Sequence, residues 1–462
     1  MLIKKENGWH GVTELLKKDI FEFSEGYKDF LNIGKTERTF VSEAIKLAEK
    51  EGFVDANTLV KLKAGDKIYY ENRGKNLILA IIGTESIVSG INYVVSHIDS
   101  PRLDLKQNPL YEEMELAYMR THYYGGIKKY HWVTLPLAMH GVVVLENGEK
   151  VSIEIGEKED DPVFTIPDLL PHLWGKSQAE RKASEVIKGE ELQILVGTIP
   201  TAIKDKEIKS LVKYAIMKEL NQKYGIVEED FVSAELQLVP AGKAKDVGLD
   251  RSIVGAYGQD DRICGYTSMK AIFDLENTPK KTIVCYLADK EETGSNGSTG
   301  LQSDYIEFFT SDIISKMKDN YSDLDLRKTL WNSKALSSDV NAAADPIFKS
   351  VHEMQNSAQL NYGIVVTKYT GSRGKSGTND ADAEFVAEIR NLLNHKNIKW
   401  QTGMLGKVDE GGGGTVAMFL AQKGIKTIDA GPALLSMHAP FELASKFDIY
   451  ETYRTYLAFY NL

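Results

Sequence analysis

The stretch Thr282-Ile283-Val284-Cys285-Tyr286-Leu287-Ala288-Asp289-Lys290-Glu291-Glu292-Thr293-Gly294-Ser295 decides how this chain is read. Its first half, Thr282 to Leu287, is short, β-branched and aromatic, the pattern of a strand buried on both faces of a parallel sheet. It ends in two adjacent carboxylates, Glu291 and Glu292, and a Gly/Ser-rich turn from Gly294 to Gly300. Open α/β sheets put their chemistry beyond the carboxyl ends of buried strands. Adjacent glutamates at such a place can divide the work, one binding a cation and the other moving protons. An isolated Glu-Glu pair is more often a solvated acidic loop, so the reading rests on what the rest of the chain supplies.

At 462 residues the chain exceeds the usual size of one core, which implies two domains or one domain with a large insert. A net charge of −10 argues against nucleic acid or an anionic membrane as partner. Cys264 and Cys285 both lie in apolar surroundings and fit a reducing compartment without a disulfide framework. The stretch Met1 to Trp9 has lysines but no apolar signal core, and no run is long enough to span a bilayer. The expectation is a cytoplasmic protein.

Along the chain, residues 10 to 54 read as helical, with Phe40, Ala44, Leu47 and Ala48 at helical spacing and a stop near Gly52. Strand-like runs follow at Leu77 to Ile82 and Ile91 to Val95, the second leading into Ser96-His97-Ile98-Asp99-Ser100-Pro101. A metal-binding imidazole needs its other nitrogen held, which Asp99 can do for His97. From about Arg102 to Gly248 the texture changes. Val142 to Leu145 and Val151 to Ile155 flank Asn147-Gly148, a hairpin signal. Val232, Ala234, Leu236 and Leu238 alternate as in a half-exposed strand, and Ile208 to Leu220 forms a helix face that should stop near Gly225. This is an antiparallel unit inserted into the first domain. Strand and helix alternate again from about Leu249, giving an α/β fold with a mixed, mainly parallel sheet between helices.

Five segments then share one feature. His97 to Asp99, Asp260, Glu291-Glu292, Asp339 and His438 place a carboxylate or imidazole at or near a strand end, and in a mainly parallel sheet such ends converge. For Asp260-Asp261 a helix N-cap explains one carboxylate but not two. Imidazoles and carboxylates without thiolate suit zinc, and also manganese or cobalt. A pair of divalent ions needs a bridging carboxylate. Asp260 is the natural bridge; His97 and Asp339 can complete one ion, Glu292 and His438 the other, with Glu291 left as general base. Spacing does not establish that these ends meet.

Ser96-His97-Ile98-Asp99-Ser100-Pro101, Asp260-Asp261, Asp289-x-Glu291-Glu292-x-Gly294-Ser295, Ser338-Asp339 and Met437-His438 follow the order of the aspartyl aminopeptidase family, which the chain resembles nearly end to end. Within the insert, Ile166-Pro167-x-Leu169-x-x-His172-Leu173 is similar to a family signature. The resemblance implies a dinuclear metallo-aminopeptidase that removes N-terminal residues, acidic Asp or Glu among them, from peptides. It implies a catalytic domain over 1–104 and 248–462, a β-rich oligomerisation domain over 105–247, and a tetrahedral homo-dodecamer. It further implies the ligands given above, Asp99 orienting His97, and His172 and Lys368 contacting substrate. Asp261 and Thr293 depart from well-known animal members, as does the loop Thr370 to Thr378. The competing readings are a dinuclear N-acyl amino acid deacylase or dipeptidase of the same fold, a phosphate binder using the glycine-rich turns, and a non-catalytic scaffold. Neither Gly294 to Gly300 nor Gly411 to Gly414 has the Gly-Lys-Ser/Thr of a P-loop, and acidic neighbours would repel phosphate.

Overall fold

The buried strand Thr282–Ala288 lies at the centre of a nine-stranded sheet. The structure is a computed structural model that describes residues 5–202 and 207–462, so the first four residues of the N-terminal stretch lie outside it. Thr282–Ala288 runs parallel to Ile91–His97, which runs parallel to Lys334–Ser337, itself parallel to Lys426–Gly431. Outside this parallel centre the sheet becomes mixed: Asn76–Ile81 pairs antiparallel with Thr282–Ala288, and Ile364–Thr367 antiparallel with Lys426–Gly431.

The uniform apolarity of the central strand has a direct cause. Ile283, Cys285 and Leu287 face one core, with Phe40, Ile263 and Phe459; Val284, Tyr286 and Ala288 face another, with Phe309, Ile313 and Leu330. Helices Glu14–Ile33, Glu37–Lys50, Gln259–Phe273 and Lys446–Tyr460 supply the first core. Tyr305–Met317 and Asp323–Trp331 supply the second. A strand covered on both faces has no polar side to alternate with.

The residues from 10 to 54 that read as helical form two helices, Glu14–Ile33 and Glu37–Lys50. Gly34 ends the first, and Thr36 opens the second through a capping box in which Thr36 and Thr39 satisfy each other's backbone N–H. The second ends at Lys50, just before Gly52.

This first compact unit comprises Met1–Asp99, Ala244–Met437 and Phe441–Leu462. It also carries a small five-stranded sheet in which Ala256 pairs with Glu442 and Asn341 with Ala433.

The second unit comprises Ser100–Lys243 and His438–Pro440. It is a six-stranded antiparallel sheet with the helix Leu211–Tyr224, stopped by Gly225 in the left-handed conformation. The Asn147-Gly148 turn joins Leu137–Val144 to Lys150–Ile155. The strand expected to be half-exposed, observed as Ala234–Pro240, is instead buried from Leu236 to Pro240. It is an inner strand of the sheet, paired with Leu137–Val144 on one side and Arg102–Glu113 on the other.

Register sets the level at which the ends of these strands emerge from the sheet. Ala288 is opposite His97 and Ser337 is opposite Val95, so the chain leaves three adjacent parallel strands at nearly the same height. Gly431 lets the neighbouring strand pass that edge, since a Cβ there would stand 2.0 Å from the Asp339 carbonyl oxygen and 3.1 Å from the Cys264 sulfur. Gly431→Ala should therefore cost at least about 3 kcal/mol, measured as a lowered urea midpoint. A loss below about 0.5 kcal/mol would show that the edge has slack.

Candidate metal centre

His97 is the residue around which the edge is arranged. It is the last residue of Ile91–His97 and is almost fully buried. Its Nδ1 lies 2.9 Å from the main-chain carbonyl oxygen of Asp99 and 3.3 Å from the Asp99 carboxylate. Both are acceptors, so Nδ1 carries a proton. Its Nε2 faces three more carboxylates, Asp260 at 3.1 Å, Asp339 at 3.9 Å and Glu291 at 4.0 Å. An imidazole with acceptors at both nitrogens is either doubly protonated or offers Nε2 to a cation. Burial works against its charge, but hydrogen bonds to Asp260 and Asp99 and the charges of Glu291 and Asp339 raise its pKa well above the usual histidine value.

Asp99 reaches further than the sequence suggested. Its carboxylate accepts the backbone N–H of Glu291 at 3.1 Å and of Glu292 at 3.2 Å. One buried carboxylate thus fixes the imidazole and the turn that carries both glutamates. That turn, Glu291–Thr293, follows Lys290 and precedes Gly294, both left-handed, and the glycine makes the reversal sterically inexpensive. Asp289 sits behind it, accepting from the Thr299 hydroxyl at 2.6 Å and from the Lys290 N–H at 2.8 Å. Burial first, then the charges of Glu37 and Asp99, push its carboxyl up to about 7.

Asp260 and Asp261 begin the buried helix Gln259–Phe273 in non-helical conformations, which turns both carboxylates away from ordinary capping. The Asp260 N–H donates to the Glu442 carboxylate at 3.1 Å, a support that sequence reasoning missed. The only signal for it was an acidic residue a few positions after His438. Asp261 is completely buried. Burial, and then the charges of Asp339 and Asp260 against the opposing pull of His97, raise its pKa well above the usual carboxylate range. Asp339 is raised for similar reasons: burial leads, His97 opposes, and Glu291, Asp260 and Asp429 add to it.

Two sets of side chains here are close enough to hold a cation: His97, Asp260 and Glu292, and His97, Asp261 and Asp339, the ligand atoms of each lying within 4.8 Å of one another. The donor set is nitrogen and oxygen only, the chemistry of zinc and its borderline neighbours. Two like charges about 4 Å apart repel by about 4 kcal/mol at an effective dielectric of about 20. One imidazolium cannot balance Asp260, Asp261, Asp339, Glu291 and Glu292, whereas divalent cations could. The residues therefore fit a metal centre.

The structure brings together His97, Asp99, Asp260, Glu291, Glu292 and Asp339. It holds His438 in the second unit, where Nδ1 donates to the Gly126 carbonyl oxygen at 2.7 Å. His172 is exposed in the same unit. Lys368 is exposed just after the strand Ile364–Thr367, and its carbonyl oxygen accepts the Ala381 N–H.

A buried carboxylate cage at the ends of parallel strands, with a histidine anchored by aspartate, defines an α/β metallohydrolase. The comparisons give the family. Residues 30–460 match the family described as aminopeptidase I zinc metalloprotease (M18), and the chain belongs to that family. It is 55% identical over 460 residues to a protein of Borrelia garinii subsp. bavariensis named "Probable M18 family aminopeptidase 1", covering 99% of this chain and 100% of the relative. The crystal structure of an M18 family aminopeptidase from Thermotoga maritima superposes with a TM-score of 0.95 at 45% identity, covering 99% of each chain. The S. cerevisiae mApe1 dodecamer shares the fold at 21% identity and a TM-score of 0.76, covering 96% of this chain and 97% of that one. This chain is accordingly a metallo-aminopeptidase.

In the metal-free protein, the raised groups retain protons that the unfolded chain has released. The stability due to Asp261, Asp289 and Asp339 is fully present below the unfolded carboxylate value of about 4 and is lost as pH rises through their folded values. His97 is also raised, so its contribution is present below about 6.5 and lost above it. Both act in one direction. The urea midpoint of metal-free protein should fall from about pH 6 to about pH 8, and saturating zinc should remove the fall. A midpoint that rises over that interval without metal would contradict the electrostatic account.

Proposed function

We propose that this aminopeptidase works through two divalent cations, zinc in both positions, with Glu291 as the group that moves protons. The observation that carries the reading is the placement of Glu291. Its backbone is fixed by Asp99, while its carboxylate is partly exposed and stands 4.0 Å from the imidazole that anchors the cage. Asp260 is assigned as the bridge, His97 and Asp339 to one ion and Glu292 and His438 to the other, the last on the strength of its motif; in support, His97 is common to two close donor sets, one with Asp260 and Glu292 and one with Asp261 and Asp339. Bound there, such ions would acidify a water and polarise a peptide carbonyl.

The side chains then have separate tasks. Glu291 takes a proton on its carboxylate from the attacking water and gives it to the leaving amine nitrogen. His97 does not compete as base, because Nδ1 is spent on Asp99 and Nε2 faces the cage. Asp99 keeps the imidazole in that tautomer. The free α-amino group of a peptide is a cation at neutral pH, and the excess of carboxylates at the edge favours its binding, which accounts for removal of terminal residues only.

An acidic terminal residue is supported by the loop beyond Lys368. Arg373, Lys375 and Lys407 line a cavity of about 190 Å³ with Tyr369 and Met404. The loop joins the catalytic edge through Thr367, whose hydroxyl accepts from Asn341, two residues past Asp339. Homo-oligomer formation, to a dodecamer as in the yeast mApe1 structure, is supported by exposed apolar residues of the second unit, among them Leu173, Trp174 and Ile199. The buried free thiols Cys264 and Cys285 suit the cytoplasm. Among the described residues no helix is long and apolar enough to cross a membrane.

Asp-, Glu-, Leu- and Lys-anilides, with N-acyl amino acids as controls, provide the test. The acidic anilides should be cleaved fastest, and chelator should abolish turnover. Glu291→Gln should keep the metal content and lower kcat by about 10²- to 10⁴-fold. Near-normal turnover by that variant would remove Glu291 from the mechanism, and hydrolysis of N-acyl amino acids alone would make the chain a deacylase.

A further inference from the structure

Asparagine followed by glycine occurs three times in the chain, at Asn7-Gly8, Asn147-Gly148 and Asn296-Gly297. Such a pair can react with itself: the glycine nitrogen attacks the asparagine side-chain amide, and glycine has no side chain to obstruct the approach. In a folded protein the reaction requires that nitrogen to be free of other bonds and the backbone around it to be open.

Two of the three pairs are held shut. The Gly8 N–H donates to the Asn361 carbonyl oxygen at 2.6 Å, and the glycine is buried against Phe447. The Asn7 side-chain oxygen accepts from the Trp9 N–H at 3.0 Å. In the hairpin turn, the Gly148 N–H donates to the Leu145 carbonyl oxygen at 2.8 Å, and the Asn147 side-chain oxygen accepts from the Glu149 N–H at 2.9 Å.

Asn296-Gly297 differs at each point. Both residues are exposed. The Gly297 N–H donates to no acceptor among the described residues, and nothing lies within 4 Å of the place a Gly297 Cβ would take. The Asn296 side-chain oxygen accepts from the Gln302 side-chain amide at 3.2 Å, which draws electron density from the carbon under attack.

The open pair also braces the turn that carries both glutamates. The Gln302 amide donates to the Gly294 carbonyl oxygen at 2.8 Å, and the Asn296 amide to the Thr293 carbonyl oxygen at 3.5 Å. The segment then rejoins the sheet at Gly300, which bridges to Asp289. It is tightly folded there: a Cβ on Gly300 would stand 2.1 Å from the Ser295 carbonyl oxygen and 2.8 Å from that of Asn296.

We propose that Asn296 is a deamidation site, where the chain converts its own asparagine to aspartate and isoaspartate, and that the conversion slows peptide hydrolysis by disturbing the Glu291–Thr293 turn. The Gly297 nitrogen gives up its proton to solvent and bonds to Asn296 Cγ. The Cγ–Nδ2 bond breaks, and the amide nitrogen takes a proton and leaves as ammonia, closing a succinimide ring. Water then adds to either ring carbonyl and breaks its bond to the Gly297 nitrogen. One opening gives aspartate; the other gives isoaspartate, in which the side-chain carbons carry the main chain. Both products add a negative charge beside a turn already rich in carboxylates, and isoaspartate lengthens a segment that has no slack at Gly300. The effect on turnover rests on the task given to Glu291 above; the chemistry at Asn296 does not.

Full-length protein incubated at mildly alkaline pH and sampled over time provides the test. Peptide mass spectrometry follows all three pairs, and turnover of the fastest-cleaved anilide is measured on the same samples. Asn296 should exchange ammonia for water at least about fivefold faster than Asn7 or Asn147, whose glycine N–H groups must first leave a hydrogen bond. Turnover should fall in step, with kcat of the converted protein lower by at least about tenfold. Asn296→Gln, which would have to close a larger ring, should hold its activity over the same period. No conversion at Asn296, or conversion as fast at Asn7 or Asn147, would overturn the site. Turnover that stays level while Asn296 converts, or that falls equally in Asn296→Gln, would overturn its effect on the turn.

Discussion

Asp99 ties the catalytic edge together. Its carbonyl and carboxylate hold the Nδ1 proton of His97, and its carboxylate also holds the backbone of Glu291 and Glu292. Histidine and glutamates come from neighbouring parallel strands nearly two hundred residues apart in sequence, and one buried carboxylate fixes them relative to each other. The sheet brings the strand ends to one level, and Asp99 converts that level into an orientation. Charge-assisted hydrogen bonds shut away from water are the contacts best suited to this, since neither competition nor screening weakens them much.

The same edge concentrates more negative charge than a folded protein ordinarily tolerates. Asp261, Asp289 and Asp339 are all raised, and in each case burial is the leading cause. Fold stability and metal binding are therefore coupled: protons occupy the cage when cations do not, and each excludes the other. The surrounding helices bear the cost of that arrangement through two large apolar cores, one on each face of the sheet.

Much of this was legible from residue order. The uncharged run Thr282 to Leu287, the glutamates after it and the His-x-Asp motif after Ile91–His97 each carried a local signature, because strand periodicity and strand-end polarity are local properties. The break between the two N-terminal helices was less visible, since Gly34 and Thr36 interrupt a continuous helical pattern only by their capping chemistry. Contacts between distant segments were not legible at all. Nothing near Glu442 announces that it supports the Asp260 backbone, and nothing in Asp260-Asp261 tells which carboxylate has hydrogen-bond donors. Those facts depend on which side chains the folded sheet sets opposite one another.

The central claim is that the carboxylates at these strand ends surround two neighbouring cations while Glu291 stays outside both. Anomalous diffraction at the zinc edge, from crystals grown with zinc, tests it most directly. The account predicts two peaks roughly 3.5–4 Å apart, with Asp260 bonded to both and Glu291 to neither. One peak, or Glu291 bonded to either, would contradict it.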